Sequence, residues 1–184
     1  MPTDLSRIAV IGCPGSGKTV FSDKLGQITN RAVVHLDKEL WQPNWTMPSY
    51  EERQAMHQAL IAPDSWIIDG MWMSHLDDRL TRATTVFFLD YKRSVCFWRM
   101  LKRRYKNAGK QRNDMASGCI DRLDSDFVRY IWNFRKKTRP TLQTKLASHP
   151  QVQVVTLNSP KQANKLLKLA GQVGLEQALL QFAN

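Results

Sequence analysis

The chain has 184 residues and a formal net charge of +11, from 27 Lys/Arg against 16 Asp/Glu, and 42% of its residues are hydrophobic. This length predicts one domain over residues 1–184, and no apolar run approaches the length of a membrane helix. Three scattered cysteines argue against a disulfide framework or a zinc site. We expect no signal peptide, because the N-terminus carries Asp4 and reaches its first predicted strand at once. We therefore expect a soluble cytoplasmic protein with no membrane partner.

The first predicted strand, residues 8–11, leads into a phosphate-loop motif that we call the phosphate loop, residues 12–19. It fits G-x-x-x-x-G-K-[ST] at every fixed position and precedes a predicted helix from Val20. Such a loop turns backbone N–H groups inward, and the helix N-terminus adds partial positive charge. Lys18 is the predicted catalytic cation at the β- and γ-phosphates, and the Thr19 hydroxyl is a predicted Mg²⁺ ligand. The residues predicted to bind ATP are Gly12, Cys13, Pro14, Gly15, Ser16, Gly17, Lys18 and Thr19.

Strand and helix patterns alternate along the rest of the chain. Short apolar runs rich in β-branched residues predict strands at 32–36, 66–68, 85–89 and 152–157. Helices are predicted at about 49–61, 74–80, 94–105, 125–147 with an interruption at Pro140, 159 onward, and 175–182. A Ser49–Glu52 capping box opens the first of these. The pattern predicts an α/β fold, a doubly wound five-stranded parallel sheet with helices on both faces.

Three acids follow predicted strands, namely Asp37, Asp69 and Asp90. The carboxyl ends of parallel strands share one edge of a sheet, where doubly wound folds bind ligands. Asp69 follows a buried apolar run and is predicted to position Mg²⁺. Asp37 is predicted to orient or deprotonate an acceptor hydroxyl, or to share the water shell of the metal. A helix cap or turn is the alternative for each, and we favour it for Asp90. His35 and His75 are expected to pack or cap.

The chain resembles the DNA topology modulation (flagellar-regulator-related) family, whose members are P-loop proteins similar to adenylate and shikimate kinases. The resemblance reaches to about Leu167 and is carried by spaced Asp, Trp and Arg blocks. These blocks are 34–37 with Trp41, Pro43 and Trp45, then 66–70, 102–104, 112–115 and 132–136. The resemblance implies a P-loop kinase fold that uses ATP and Mg²⁺.

A basic segment, residues 92–145, holds 16 Lys/Arg and 4 Asp/Glu, a balance of +12, while the rest of the chain balances at −1. The resemblance to kinases implies a mobile lid after the fourth strand's helix, and residues 107–124 hold that place. Arg112 is the predicted catalytic lid arginine, with Arg79 and Arg135 in support as substrate-binding residues. A solvated surface is the alternative for these cations, apart from Arg112.

The chain departs from adenylate kinases where they bind the acceptor phosphate. The run after the third strand is Asp-Gly-Met-Trp-Met (69–73), with Arg79 as the nearest arginine. This puts a nucleoside monophosphate acceptor in doubt. Trp41, Trp45 and Trp72 are predicted either to line an acceptor pocket by stacking on a ring or to pack a small cap.

Together these features predict a kinase that transfers the γ-phosphoryl group of ATP to a small-molecule acceptor such as a nucleotide or nucleoside. One alternative is an ATP-dependent, nucleic-acid-associated regulator that binds through the basic segment, although no helix-turn-helix, zinc-finger or RNP motif is present. A simple ATPase is the other alternative. No oligomeric state is predicted.

Overall fold

A computed structural model describes residues 4–43, 46–106 and 125–183. Its strands all run parallel in one sheet with the order β2-β3-β1-β4-β5. The strand bounds are β1 (Arg7–Gly12), β2 (Val33–His35), β3 (Trp66–Asp69), β4 (Thr85–Leu89) and β5 (Gln153–Leu157). The predicted five-stranded parallel sheet is therefore confirmed.

Helices cover both faces of this sheet. Ile8, Ala9, Val10 and Ile11 of β1 have no exposed surface, and successive strand side chains point to opposite faces, so both faces are covered. The helices are α1 (Lys18–Thr29), α2 (Leu36–Leu40), α3 (Tyr50–Ile61), α4 (Leu76–Arg82), α5 (Arg93–Lys106), α6 (Ser125–Ala147), α7 (Pro160–Val173) and α8 (Leu175–Ala183), with a 3-10 turn at Met73–His75. None of the helices in the described ranges is long and apolar enough to cross a membrane.

The strand order indicates that the candidate site lies at the carboxyl ends of the strands. The chain runs out along one side of β1 through β2 and β3, then crosses to the other side for β4 and β5. Such a reversal opens a crevice at the carboxyl ends of the strands. The register places Asp69 beside Val10 on one neighbour and beside His35 on the other.

Two predicted helix starts have the expected caps. Glu52 N–H donates to Ser49 Oγ at 3.1 Å, and Ser49 N–H donates to Glu52 Oε2 at 2.8 Å, a reciprocal capping box. Ser159 Oγ accepts from Gln162 N–H at 3.2 Å, with Pro160 in the first turn of α7.

Two elements differ from the sequence-based expectation. The segment after β2 forms the short helix α2, which the sequence analysis does not predict, and Asp37 lies in its first turn. The predicted interruption at Pro140 is wrong, because α6 runs through it without a break. A proline removes one helical hydrogen bond, but buried Ile131 and Leu142 flank Pro140 and pack this helix into the core on both sides of it.

Candidate functional site

The phosphate loop forms a tight turn between β1 and α1. Gly15 and Gly17 have φ angles of +80° and +91°, in the left-handed region that favours glycine. A Cβ on Gly15 would lie 2.3 Å from the Cys96 carbonyl oxygen, so only glycine lets α5 approach this closely. Ser16 N–H donates to the Cys13 carbonyl at 3.0 Å. The loop therefore folds over the N-terminus of α1, which is the usual arrangement for binding phosphate.

Lys18 and Cys13 meet within this loop. Lys18 Nζ donates to the Cys13 carbonyl oxygen at 3.5 Å, so the ammonium group lies along the loop. The Cys13 thiol is buried beside Cys96, and both their hydrogen bond and burial raise the pKa of Cys13. Cys13 thus keeps a neutral thiol and presents only its backbone to a ligand.

The two residues predicted to hold a metal lie in direct contact. Thr19 Oγ1 donates to Asp69 Oδ2 at 2.9 Å, and Asp69, the last residue of β3, is only 5% exposed. Its second oxygen, Oδ1, is buried without a hydrogen-bond partner among the residues that the structure describes. A hydroxyl and a carboxylate with an unsatisfied oxygen are the hard donors that Mg²⁺ prefers, so this pair fits the ion.

His35 joins Asp69 in a contact that the sequence analysis missed. Its Nδ1 lies 3.1 Å from Asp69 Oδ2 and its Nε2 lies 3.2 Å from Asp23 Oδ1 on α1. The sequence did contain a signal, because parallel pairing of the second and third strands sets His35 beside Asp69. His35 therefore links the acid of β3 to α1 rather than only packing.

Asp37 faces the loop that follows β3. The Trp72 indole Nε1 donates to Asp37 Oδ1 at 2.9 Å. The Trp72 ring also contacts Trp41, with centroids 5.8 Å apart and planes tilted by 59°, and the Arg53 guanidinium lies 5.7 Å from its centroid. Asp37 is exposed, so a carboxylate held by an aromatic cluster lies open to solvent.

Arg79 is not at the open edge of the site. It has no exposed surface, and its guanidinium donates to the carbonyls of Gly70 at 3.0 Å and Met71 at 2.8 Å. A further N–H lies 3.2 Å from His57 Nε2. Burial lowers the pKa of Arg79 to about 10, so it stays charged at neutral pH. This burial argues against the predicted contact between Arg79 and a substrate phosphate.

The buried His57 beside Arg79 makes stability depend on pH. Burial, and then the charge of Arg79, lower the pKa of His57 from 6.5 to about 4. The unfolded chain therefore binds a proton that the folded protein refuses between about pH 6.5 and pH 4. We expect the free energy of unfolding to fall as the pH drops through this window, by on the order of 3 kcal/mol from His57 alone. Urea unfolding of wild type and His57→Gln at pH 7 and pH 5 measures the part of this loss that falls between those pH values, about 2 kcal/mol; equal losses in both proteins would contradict it.

The arginines of α6 are partly engaged with Asp90. Arg139 donates to Asp90 Oδ2 through Nε at 2.8 Å, and its NH2 lies 2.7 Å from the same oxygen. Arg135 donates to the Tyr91 carbonyl at 3.4 Å and lies 4.0 Å from Asp90 Oδ1. Asp90 is 5% exposed. It therefore anchors α6 to the end of β4, and Arg135 stands half-buried at that end.

Arg99 is a second group that the sequence analysis missed. Its guanidinium donates to the Ser16 carbonyl at 2.7 Å and lies 3.1 Å from the position of a Cβ on Gly17. Arg99, Lys24, Pro160 and other residues line a groove beside the phosphate loop. No sequence pattern signals this contact, because it depends on how α5 packs against the phosphate loop.

Two predicted site residues, Arg112 and Trp45, lie outside the described residues, as does the whole predicted lid at 107–124.

Comparison with known proteins agrees with this architecture. A family model described as an AAA domain matches residues 8–117. No curated protein sequence matches the chain. Among solved structures, the chain is similar to a gluconokinase from Sinorhizobium meliloti 1021, with 16% identity, 98% of each chain covered and a TM-score of 0.52. It is also similar to a sugar kinase from Janibacter sp. HTCC2649, with 18% identity, 98% and 96% covered and a TM-score of 0.47.

The family match, the similarity to the gluconokinase and the sheet establish the P-loop nucleoside-triphosphatase fold. At this level of identity the similarity to solved structures shows the fold alone. The resemblance to the DNA topology modulation family stays a prediction.

Proposed function

The chain belongs to the AAA domain family, and we propose that it transfers the γ-phosphoryl group of ATP to a hydroxyl of a small-molecule acceptor. The observation that carries the proposal is the hydrogen bond of Thr19 Oγ1, in the last residue of the phosphate loop, to Asp69 Oδ2 at 2.9 Å. Phosphoryl transfer needs positioning and charge neutralisation more than covalent help from the protein. A P-loop threonine that is hydrogen-bonded to the carboxylate at the end of a strand supplies that positioning.

The nucleotide binds along the phosphate loop and the adjacent groove. Backbone N–H groups of residues 12–19 and the N-terminus of α1 receive the phosphates, and Lys18 neutralises the β- and γ-phosphates. Thr19 and Asp69 would hold Mg²⁺, which offsets phosphate charge when bound. Arg99 and Pro160 both line this groove and would contact the base.

The acceptor binds on the side of Asp37. The Asp37 carboxylate orients the acceptor hydroxyl and takes its proton as the oxygen attacks the γ-phosphorus. A new P–O bond forms to the acceptor, the bond between the γ-phosphorus and the bridging oxygen breaks, and ADP leaves with that electron pair. Arg112 and Arg135 neutralise the group in transfer. Trp72 and Trp41, which lie beside Asp37, support an acceptor with a ring.

An acceptor panel tests this proposal. ADP release is measured with ATP and Mg²⁺ in the presence of nucleosides, nucleotides, sugars and sugar acids, one class at a time. We expect one class to stimulate ADP release well above the rate without acceptor. A rate that no class changes would contradict the kinase and leave the simple ATPase as the better account.

Arg99→Ala should weaken ATP binding by about tenfold, because it removes a guanidinium that stacks on the base. Because Arg99 is exposed, we expect the melting temperature of the free protein to change little. Titration with a fluorescent ATP analogue measures the affinity. Arg129→Ala is the matched control. Arg129 lies on α6, pairs there with Asp126, and is not among the residues that line the groove. Equal affinities for Arg99→Ala and the control would contradict a nucleotide site at this groove.

Nucleic-acid binding is the second candidate function, and the resemblance to the DNA topology modulation family suggests it. One observation favours it. On α5, Trp98 is 68% exposed, and the guanidinium of Arg93, also on α5, lies 4.3 Å from the ring centroid of Trp132 on α6. Exposed aromatics among cations suit stacking on bases. Duplex or single-strand affinity that falls steeply with salt, without acceptor-stimulated ADP release, would favour this role.

A further inference from the structure

The contacts of both functional acids lie within four consecutive residues, Asp69 to Trp72. Asp69, the last residue of β3, accepts a hydrogen bond from Thr19, and Trp72, in the loop that follows, donates one to Asp37. Trp72 has a φ of +32°, a left-handed conformation that a tryptophan rarely adopts. Such a conformation persists only where the surrounding structure holds it in place.

A buried cation holds the middle of this loop. Arg79 NH2 donates to the carbonyls of both Gly70 and Met71, the two residues between Asp69 and Trp72. On the other side of the same loop, Gly12 N–H donates to Met71 Sδ at 3.2 Å. The loop is therefore clamped between α4 and the first residue of the phosphate loop.

The environment of Arg79 is unusual for a structural arginine. Its guanidinium is fully buried, and within the described ranges it takes part in no ion pair with a carboxylate. The acid that acts on its charge is Asp69, which partly offsets the lowering of the Arg79 pKa by burial. A buried cation that no carboxylate pairs with is costly, and an apolar side chain would suit a purely structural position better.

We infer that Arg79 is a positioning residue, which fixes the Asp69 carboxylate against Thr19 and aims Trp72 at Asp37 by holding the Gly70 and Met71 carbonyls. This inference rests on the proposed function, because it gives Asp69 its value as a metal-positioning group. It also replaces the predicted role of Arg79 as a contact for substrate phosphate.

Arg79→Lys tests the inference, since lysine keeps the charge but lacks the planar fork that reaches two carbonyls. We measure ATP-analogue binding without metal and as a function of Mg²⁺ concentration, together with thermal unfolding. We expect metal-free affinity to stay within about twofold, whereas the Mg²⁺ concentration at half-effect should rise by about tenfold, the usual result of losing a group that orients a metal ligand. A purely structural role would lower the melting temperature and leave the Mg²⁺ dependence unchanged, which would overturn the inference.

Two further variants keep the result interpretable. Arg82→Lys is the matched control, because Arg82 also lies on α4 and donates to a carbonyl, that of Ala62 at 2.9 Å, away from the site. It should keep the wild-type Mg²⁺ dependence. His57→Gln retains Arg79 but removes one of its contacts, and should raise the half-effect concentration by about two- to threefold. A Mg²⁺ dependence that is unchanged in both Arg79→Lys and His57→Gln would overturn the inference.

Asp69→Asn separates this inference from the proposed function. If Asp69→Asn leaves the Mg²⁺ dependence unchanged, the metal assignment itself is wrong and the inference falls with it. If Asp69→Asn changes the dependence and Arg79→Lys does not, the metal assignment stands and only the role of Arg79 is wrong.

Discussion

Lys18→Ala is expected to abolish ATP turnover and to shrink the thermal stabilisation by nucleotide, while the free protein keeps its fold. Lys18 places a point charge at the β- and γ-phosphates, where negative charge is concentrated in the transition state. Removing one such preorganised group lowers turnover by on the order of 100-fold or more. The hydrogen bond of Lys18 to the described residues is a long one, to the Cys13 carbonyl at 3.5 Å, so its loss costs the folded state little.

ADP release and thermal unfolding with and without ATP measure both parts of this prediction. Lys168→Ala on the exposed face of α7 is the control and should behave as wild type. A Lys18→Ala protein with wild-type turnover would mean that the phosphate loop does not bind the transferred group.

Asp69→Asn and Asp37→Asn are expected to fail in different ways. Asp69→Asn keeps the side-chain volume but removes the anionic oxygens, so metal-free ATP binding should persist while the Mg²⁺ requirement rises by about tenfold or more. Asp37→Asn should instead lower turnover at saturating ATP and Mg²⁺ by on the order of 100-fold, since it removes the group that accepts the acceptor's proton.

Separate titrations of Mg²⁺ and of the stimulating acceptor distinguish the two variants. Identical kinetic phenotypes would contradict the division of roles between Asp69 and Asp37.

The sheet was predictable because buried parallel strands have a distinct sequence pattern. Residues 85–89, for example, are a continuous apolar and β-branched run, and all five are buried in β4. The short helix α2 was missed because five residues are too few for a helical period to be seen. The continuity of α6 through Pro140 was missed because burial of its apolar face decides it, and local propensity does not report burial.

The candidate site was predictable where its residues are close in sequence or end a strand. The phosphate loop is one continuous motif, and Asp37 and Asp69 follow strand runs. The sequence analysis predicts a ligand-binding role for Arg79 from its position after the third strand, and this position does not show which face of α4 Arg79 lies on. It lies three residues after Leu76 and one before Leu80, on the buried side of α4. The contact of Arg99 with the phosphate loop depends on how α5 packs, which no local pattern encodes.

The destination of the γ-phosphate of ATP tests the central claim most directly. ATP labelled at the γ-phosphate is incubated with the protein, Mg²⁺ and the acceptor class that stimulates ADP release, and the label is divided between acceptor and inorganic phosphate. The account predicts that label enters the acceptor in step with ADP, and that Lys18→Ala transfers none. Label recovered only as inorganic phosphate, at a rate that no acceptor changes, would contradict it.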